Sequence, residues 1–272
     1  MAYANFKPTI WSKYIQHELE KKAKLTDFCN SQFTGEAKQG AVVRILNAAS
    51  PTITDYDQAT GLGDIETFEG TYQDLILDQY KAFNFMIDDI DKMQSIPGTF
   101  EAIMLEKGRK MLVERERFVG KLATGADNAS SSTAIGSAKS AKAAIDEGLL
   151  KLRENDVALD DNVHIELSPF MYQLFRDNIT ELSTNNVDLI HRGVVGMYDG
   201  ALVVMSNCLH NDGTDDYCMI RTKNAIAFVS AIDQMEAYRP EKFFSDAVKG
   251  LNVFGGKIVR QKELYVVKAH KG

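Results

Sequence analysis

Three cysteines in 272 residues, Cys29, Cys208 and Cys218, are too few, too widely spaced and odd in number for a disulfide framework. They read as reduced thiols, most of them buried. There is no Cys-x-x-Cys, and none of the five histidines (His17, His164, His191, His210, His270) has a second histidine four residues away. Zinc sites of the usual spacing are therefore absent. No apolar run approaches the ~20 residues that a membrane helix needs, so no membrane partner is expected. The opening Met1-Ala2-Tyr3-Ala4-Asn5-Phe6-Lys7-Pro8 lacks the apolar centre of a signal peptide, which leads us to expect synthesis and folding in a cytoplasm. Basic residues are outnumbered, 31 against 38, for a net charge of -7. That argues against a reader of nucleic-acid sequence, which normally presents a basic surface. It leaves open a wall around packaged DNA, whose charge small counterions can neutralise.

Signatures of catalysis are missing too. Gly193-Val194-Val195-Gly196-Met197-Tyr198-Asp199-Gly200 fits neither the dinucleotide fingerprint nor the P-loop, and no Lys-Ser or Lys-Thr follows. Its glycines are better explained by tight backbone geometry before a strand. Cys208 and His210 border the turn Asn211-Asp212-Gly213, Gly-x-Ser-x-Gly does not occur, and Asp215 and Asp216 read as surface loop. The run Asp88-Asp89-Ile90-Asp91 closes a strand with no histidine near it and reads as a solvated turn. No catalytic residue, metal or cofactor is expected.

What the chain does have is order. Residues 9–25 carry a thin apolar stripe (Ile10, Tyr14, Leu19, Leu25) and predict an N-terminal helix, either packed on its own domain or reaching a neighbour as an arm. A strand over 41–48 is followed by a polar excursion, 49–74, punctuated by Pro51, Gly61, Gly63 and Gly70. A structureless loop of that length does not suit a compact domain, so we expect a projecting hairpin. Residues 75–87 alternate, with Leu75, Leu77, Phe83, Phe85 and Ile87 on one parity, and predict one strand. Over 98–123, Phe100, Met104, Met111, Phe118 and Leu122 recur at steps of four and seven, which predicts a long helix with one narrow buried face. Residues 124–137 are small and polar, as in a hinge between domains. Helix over 139–154, strand over 163–167 and a helix opened by Ser168-Pro169 follow. Strands are then expected within 193–207 and over 218–221, 225–228, 229–238, 253–259 and 264–269. Helices and strands mix without a βαβ rhythm, so the fold class is α+β.

This order of parts resembles the tailed-bacteriophage major capsid proteins, with the fold named after the Hong Kong ninety-seven phage. Phe83-Asn84-Phe85-Met86-Ile87-Asp88-Asp89-Ile90-Asp91 followed by Gln94-Ser95 is similar to the approach to that family's spine helix. The glycine array with Val203-Val204-Met205-Ser206-Asn207 resembles its axial-domain segment. The tail from Arg239-Pro240-Glu241 through residues 244–269 resembles its closing strands.

The resemblance implies an N-terminal arm over 1–40 and an extended loop over 49–78. It implies a peripheral domain over 41–48, 79–128 and 229–261, and an axial domain over 129–228 and 262–272. It further implies a structural, non-enzymatic protein that self-assembles as pentamers and hexamers into an icosahedral virion shell around double-stranded DNA. Assembly would take place in the host bacterial cytoplasm, with scaffolding and portal proteins as further partners. Encapsulin shells share the fold and nearly the size, and from another class a hydrolase with a dispersed site stays open. Some capsid relatives join subunits through a loop lysine, yet 49–74 holds no lysine or arginine and six acids: Asp55, Asp57, Asp64, Glu66, Glu69 and Asp74. Their expected partners on a neighbouring subunit are Lys107, Arg109, Lys110, Arg115, Arg117 and Lys121 of the long helix.

Overall fold

Short runs rich in valine and isoleucine, buried on both faces, build the largest sheet. A computed structural model describes residues 24–34, 42–47, 71–88, 99–157, 162–178 and 194–272. In chain order the elements are β1 (Val42–Asn47), β2 (Thr71–Ile76), β3 (Gln79–Asp88), α1 (Thr99–Leu122), β4 (Thr133–Ile135), α2 (Ala138–Glu154), β5 (Val163–Leu167), α3 (Pro169–Asn178), β6 (Val194–Tyr198), β7 (Ala201–Met205), β8 (Asp216–Thr222), β9 (Ile226–Tyr238), β10 (Ser245–Ile258) and β11 (Leu264–Lys271). They form three sheets: β1–β2; β3–β10–β9; and the six-stranded β4–β11–β8–β5–β7–β6. Helices and sheets are mixed as the α+β expectation has it.

In the six-stranded sheet all five residues of β5 are buried. Ile145, Leu149 and Leu152 of α2 and Met171 and Phe175 of α3 pack on one side of the sheet in a single apolar cluster. Both helix starts follow the sequence. Ser137 and Ser140 cap α2 reciprocally, and Ser168 Oγ accepts from the Met171 N–H at 3.4 Å, leaving Pro169 in the first turn where its missing N–H costs nothing. The β6–β7 hairpin turns at Asp199 and Gly200, both in the left-handed region with φ of 50° and 84°. That geometry is what the last glycine of the 193–200 array supplies.

A second cluster joins the sheets. Val119 and Ala123 of α1 meet Ile226 and Phe228 of β9, Phe254 of β10, Leu264 and Val266 of β11, and Leu25 and Cys29 of the N-terminal segment. On the other face of the same β9 start, Ala227 and Val229 pack with Val43, Ile45, Leu75, Leu77 and Val253. Alternate β9 residues thus serve two cores, as the period of a strand requires.

Four expectations change. The single strand over 75–87 is two: β2 pairs with β1, and β3 pairs with β10. The strands expected over 225–228 and 229–238 are one, β9, while β10 starts eight residues before the expected 253. Residues 124–137 are not a bare hinge, because Thr133–Ile135 forms β4, parallel to the end of β11. The buried stripe of α1 runs through Gly108, Leu112, Glu116, Val119 and Ala123, with Phe118 and Leu122 at its flank. Phe100 and Met104, expected in the stripe, lie outside the described side chains, as does the helix expected over 9–25 up to residue 23.

Candidate subunit-contact site

The hairpin β1–β2 turns a mainly apolar face to the core and a mixed face outward. In its antiparallel register Val43 faces Leu75 and Ile45 faces Gln73, and Val43, Ile45 and Leu75 of this face enter the core. The opposite face pairs Val42 with Ile76, Arg44 with Asp74 and Leu46 with Tyr72. All four of its apolar side chains are exposed. Between the two apolar pairs the Arg44 guanidinium grips Asp74 with two hydrogen bonds, 2.9 and 3.3 Å, and lies 4.2 Å above the Tyr72 ring. The hydrogen bond from Arg44 holds the Asp74 carboxyl below its ordinary range. Asp74 is the one expected loop acid among the described residues; Asp55, Asp57, Asp64, Glu66 and Glu69 lie outside them.

Of the six expected bases on α1, Arg109, Lys110, Arg117 and Lys121 are exposed and Lys107 is half-buried. Two carry weak intrahelical partners: Lys110 to Glu106 at 3.8 Å, and Arg117 to Glu114 at 3.5 Å. Lys121 borders a groove of about 460 Å³ with Asp78, Phe118, Lys257 and Ile258. Arg115 is turned into its own subunit, donating to Asn252 Oδ1 at 3.1 Å and Ser230 Oγ at 3.2 Å.

Sequence reasoning missed the anchor that holds the N-terminal segment. Glu116, only 3% exposed, accepts from the N–H groups of Lys24 (3.0 Å), Leu25 (2.8 Å) and Thr26 (3.2 Å), and from the Thr26 hydroxyl (2.9 Å). From the opposite side the fully buried Arg221 donates to the carbonyls of Phe28 and Leu25, the latter at 3.1 Å. The same guanidinium forms a fork with Glu166 at 2.6 and 3.1 Å. Burial pushes the Glu166 carboxyl up, and the Arg221 charge opposes that shift. Beyond this point Asn30 bridges to β9, donating to Ile226 O at 2.8 Å and accepting from the Phe228 N–H at 3.0 Å. Glu116 stood among the helix's many charges, and nothing in its spacing marks a partner some 90 residues away.

The loop 211–216 departs from expectation. Asp215 is buried, not surface, and Asp216 begins β8. Asp215 Oδ1 meets His270 Nδ1 at 2.7 Å and accepts from Ser132 Oγ at 2.9 Å, while Ser132 Oγ also lies 3.3 Å from the same ring nitrogen. A serine nucleophile needs the far imidazole nitrogen, opposite its aspartate; here both groups crowd Nδ1, so the trio ties strands together. His210 stacks edge-on against Tyr217, with ring centroids 5.0 Å apart. Among the described residues no group of three or more His, Cys, Asp or Glu could hold a metal ion, and no helix is long and apolar enough to cross a membrane.

No protein-family model matches the chain, and no curated protein matches it by sequence. Solved structures do. A chain of Mycobacterium phage Che8 is 25% identical with a TM-score of 0.74, over 90% of this chain and 91% of that one. The asymmetric unit of the bacteriophage PhiM1 mature capsid gives 16% and 0.66, over 88% and 87%. A virus-like particle from Pyrococcus furiosus gives 12% and 0.59, over 95% and 98%. Across nearly its whole length, this chain has the tailed-phage capsid fold of the Hong Kong ninety-seven type.

Proposed function

We propose that this chain is a phage major capsid protein, assembling with itself as pentamers and hexamers into an icosahedral shell around double-stranded DNA. The observation that carries the reading is the likeness to the Mycobacterium phage Che8 chain, which combines the 25% identity with near-complete coverage of both chains. The encapsulin alternative draws on the Pyrococcus particle, but identity and TM-score are both lower there. The shell is the protein's whole activity, with no catalysed reaction and no cofactor. Scaffolding and portal proteins are its further partners, and host bacterial cytoplasm is its place of assembly.

In this reading residues 1–40 are the arm and 49–78 the extended loop. Residues 41–48, 79–128 and 229–261 form the peripheral domain, and 129–228 with 262–272 the axial domain. The acidic loop of one subunit docks on bases of α1 in the next: the half-buried Lys107 and the exposed Arg109, Lys110, Arg117 and Lys121. Exposed pairs are worth about 0–1 kcal/mol each, so they set register while apolar contacts supply affinity. Electron microscopy of the purified protein tests the reading. Shells or ring-shaped capsomers are expected, and a monomer at micromolar concentration under all salt conditions would overturn it. DNA inside particles made during infection favours the phage reading; enzyme cargo favours the alternative.

A further inference from the structure

The two faces of the six-stranded sheet differ in chemistry. Val163, Ile165, Leu167, Val203, Cys218 and Ile220 join the apolar cluster under α2 and α3. Alternate residues of the same strands turn the other way. In register, His164 lies beside Leu202 and Arg221, and Glu166 beside Val204 and Met219. The N-terminal segment covers this second face: Phe28 packs with Leu202 and Val204, and Leu25 and Cys29 share a cluster with Met219. Beneath it His164, Glu166 and Arg221 are only 3%, 0% and 0% exposed. A permanent cover has no need of three ionisable groups under it, because apolar side chains bury without their desolvation cost. A face that is wet in one state and covered in another can use them. His164 is placed to choose between the states, since its ring lies against that of Phe28, with centroids 4.2 Å apart.

We propose that residues 24–30 are a proton-operated strap, closed over this face while the His164 imidazole is neutral and lifted from it once the ring is charged. An exposed imidazole takes its proton near pH ~6.5. Under the strap that proton puts a second buried cation opposite Arg221, and like charges facing each other across strands are destabilising. The carboxylates that could offset it are already engaged. Both oxygens of Glu166 accept from Arg221, at 2.6 and 3.1 Å, and those of Glu116 hold the backbone of Lys24, Leu25 and Thr26 and the Thr26 hydroxyl. The strap adds the half-buried Lys24 and Asp27 and the buried Cys29. Because the open form binds the proton, closure is at full strength above pH ~6.5 and weakens below it, by at most ~30-fold at pH ~5 for one imidazole. Glu166 opposes part of this: burial raises its carboxyl, so a proton there favours closure. The switch belongs to the single subunit and stands or falls apart from the shell reading.

Two native thiols supply the test. Cys29 lies in the strap and reports its opening, whereas Cys218 lies on the α2–α3 face and reports unfolding. The full chain is labelled with a pyridyl disulfide, and each rate is divided by that of glutathione at the same pH. So normalised, Cys29 should be about tenfold more accessible at pH ~5 than at pH ~8, with Cys218 still protected. His164→Gln should abolish that increase, and so should His164→Phe, which keeps a ring against Phe28 should the glutamine variant fail to fold. The parent profile is decisive even without a variant. A flat profile in the parent, an increase that persists in either variant, or labelling of Cys29 and Cys218 together overturns the proposal.

Discussion

Glu116 places a carboxylate in the interior, where the N–H groups of Lys24, Leu25 and Thr26 and the Thr26 hydroxyl hold it. Each hydrogen bond to a charged group is worth about 1.5–3 kcal/mol, and stranding the donors adds desolvation. Glu116→Ala should therefore destabilise the subunit by about 3 kcal/mol or more, read as a lower urea midpoint at unchanged slope. A loss below ~0.5 kcal/mol would mean that the segment is held otherwise. On the far side of the same segment Cys29 lies under Arg221, and burial pushes its thiol up to about 12, as it does that of Cys218. Only the thiolate reacts, so alkylation at pH 8 should spare both until the protein is unfolded. Rapid labelling of native Cys29 would show that the N-terminal segment lifts away. The buried, reduced thiols were legible in the sequence, but the anchor was not: Glu116 and Arg221 were two charges among many, and their backbone partners carry no side-chain signal.

Elements, in contrast, were largely legible, and the failures have causes. The alternation of 75–87 gave the correct buried parity at Leu75 and Leu77, but it runs unbroken through Asp78, so nothing in the period marks the change of sheet. The three residues of β4 are too few for a period, and their pairing with β11 spans more than 130 residues. The α1 stripe was displaced because Phe and Met were weighed above Gly. Gly120 shows why that misleads: a Cβ there would lie 2.4 Å from the Cys208 carbonyl oxygen. Alanine ordinarily favours a helix over glycine by about 1 kcal/mol, but overpacking against backbone costs about 1–3. Gly120→Ala should thus lower the thermal midpoint of the isolated subunit, and a rise would refute the close helix–loop contact. The hairpin has its own titration. Because Arg44 holds the Asp74 carboxyl low, their contribution is present above the ordinary aspartate pKa of about 3.9 and is lost as pH falls through the lower folded value. The Asp74 carboxyl ¹³C shift should titrate below that ordinary value in the parent and return toward it in Arg44→Gln.

At the scale of the whole molecule, the shell proposed above draws on two kinds of surface. The hairpin root exposes Val42, Leu46, Tyr72 and Ile76, whereas residues 49–74 carry six acids and no lysine or arginine. A loop lysine is the nucleophile that some relatives use to join subunits covalently, and its absence leads us to propose a shell held without such bonds. Exposed charges interact over about 8–10 Å before salt screens them, whereas apolar burial survives salt. Raising salt from ~0.05 to ~1 M should therefore weaken loop docking, read as faster proteolysis within 49–70, before it disperses the particles. Denaturing gel electrophoresis of mature particles supplies the decisive comparison. A single band near 30.3 kDa is expected, and a ladder of oligomers that survives reductant would refute the non-covalent shell. Dispersal of particles by salt at the same concentration that frees the loop would assign the holding energy to the charges, against apolar contacts.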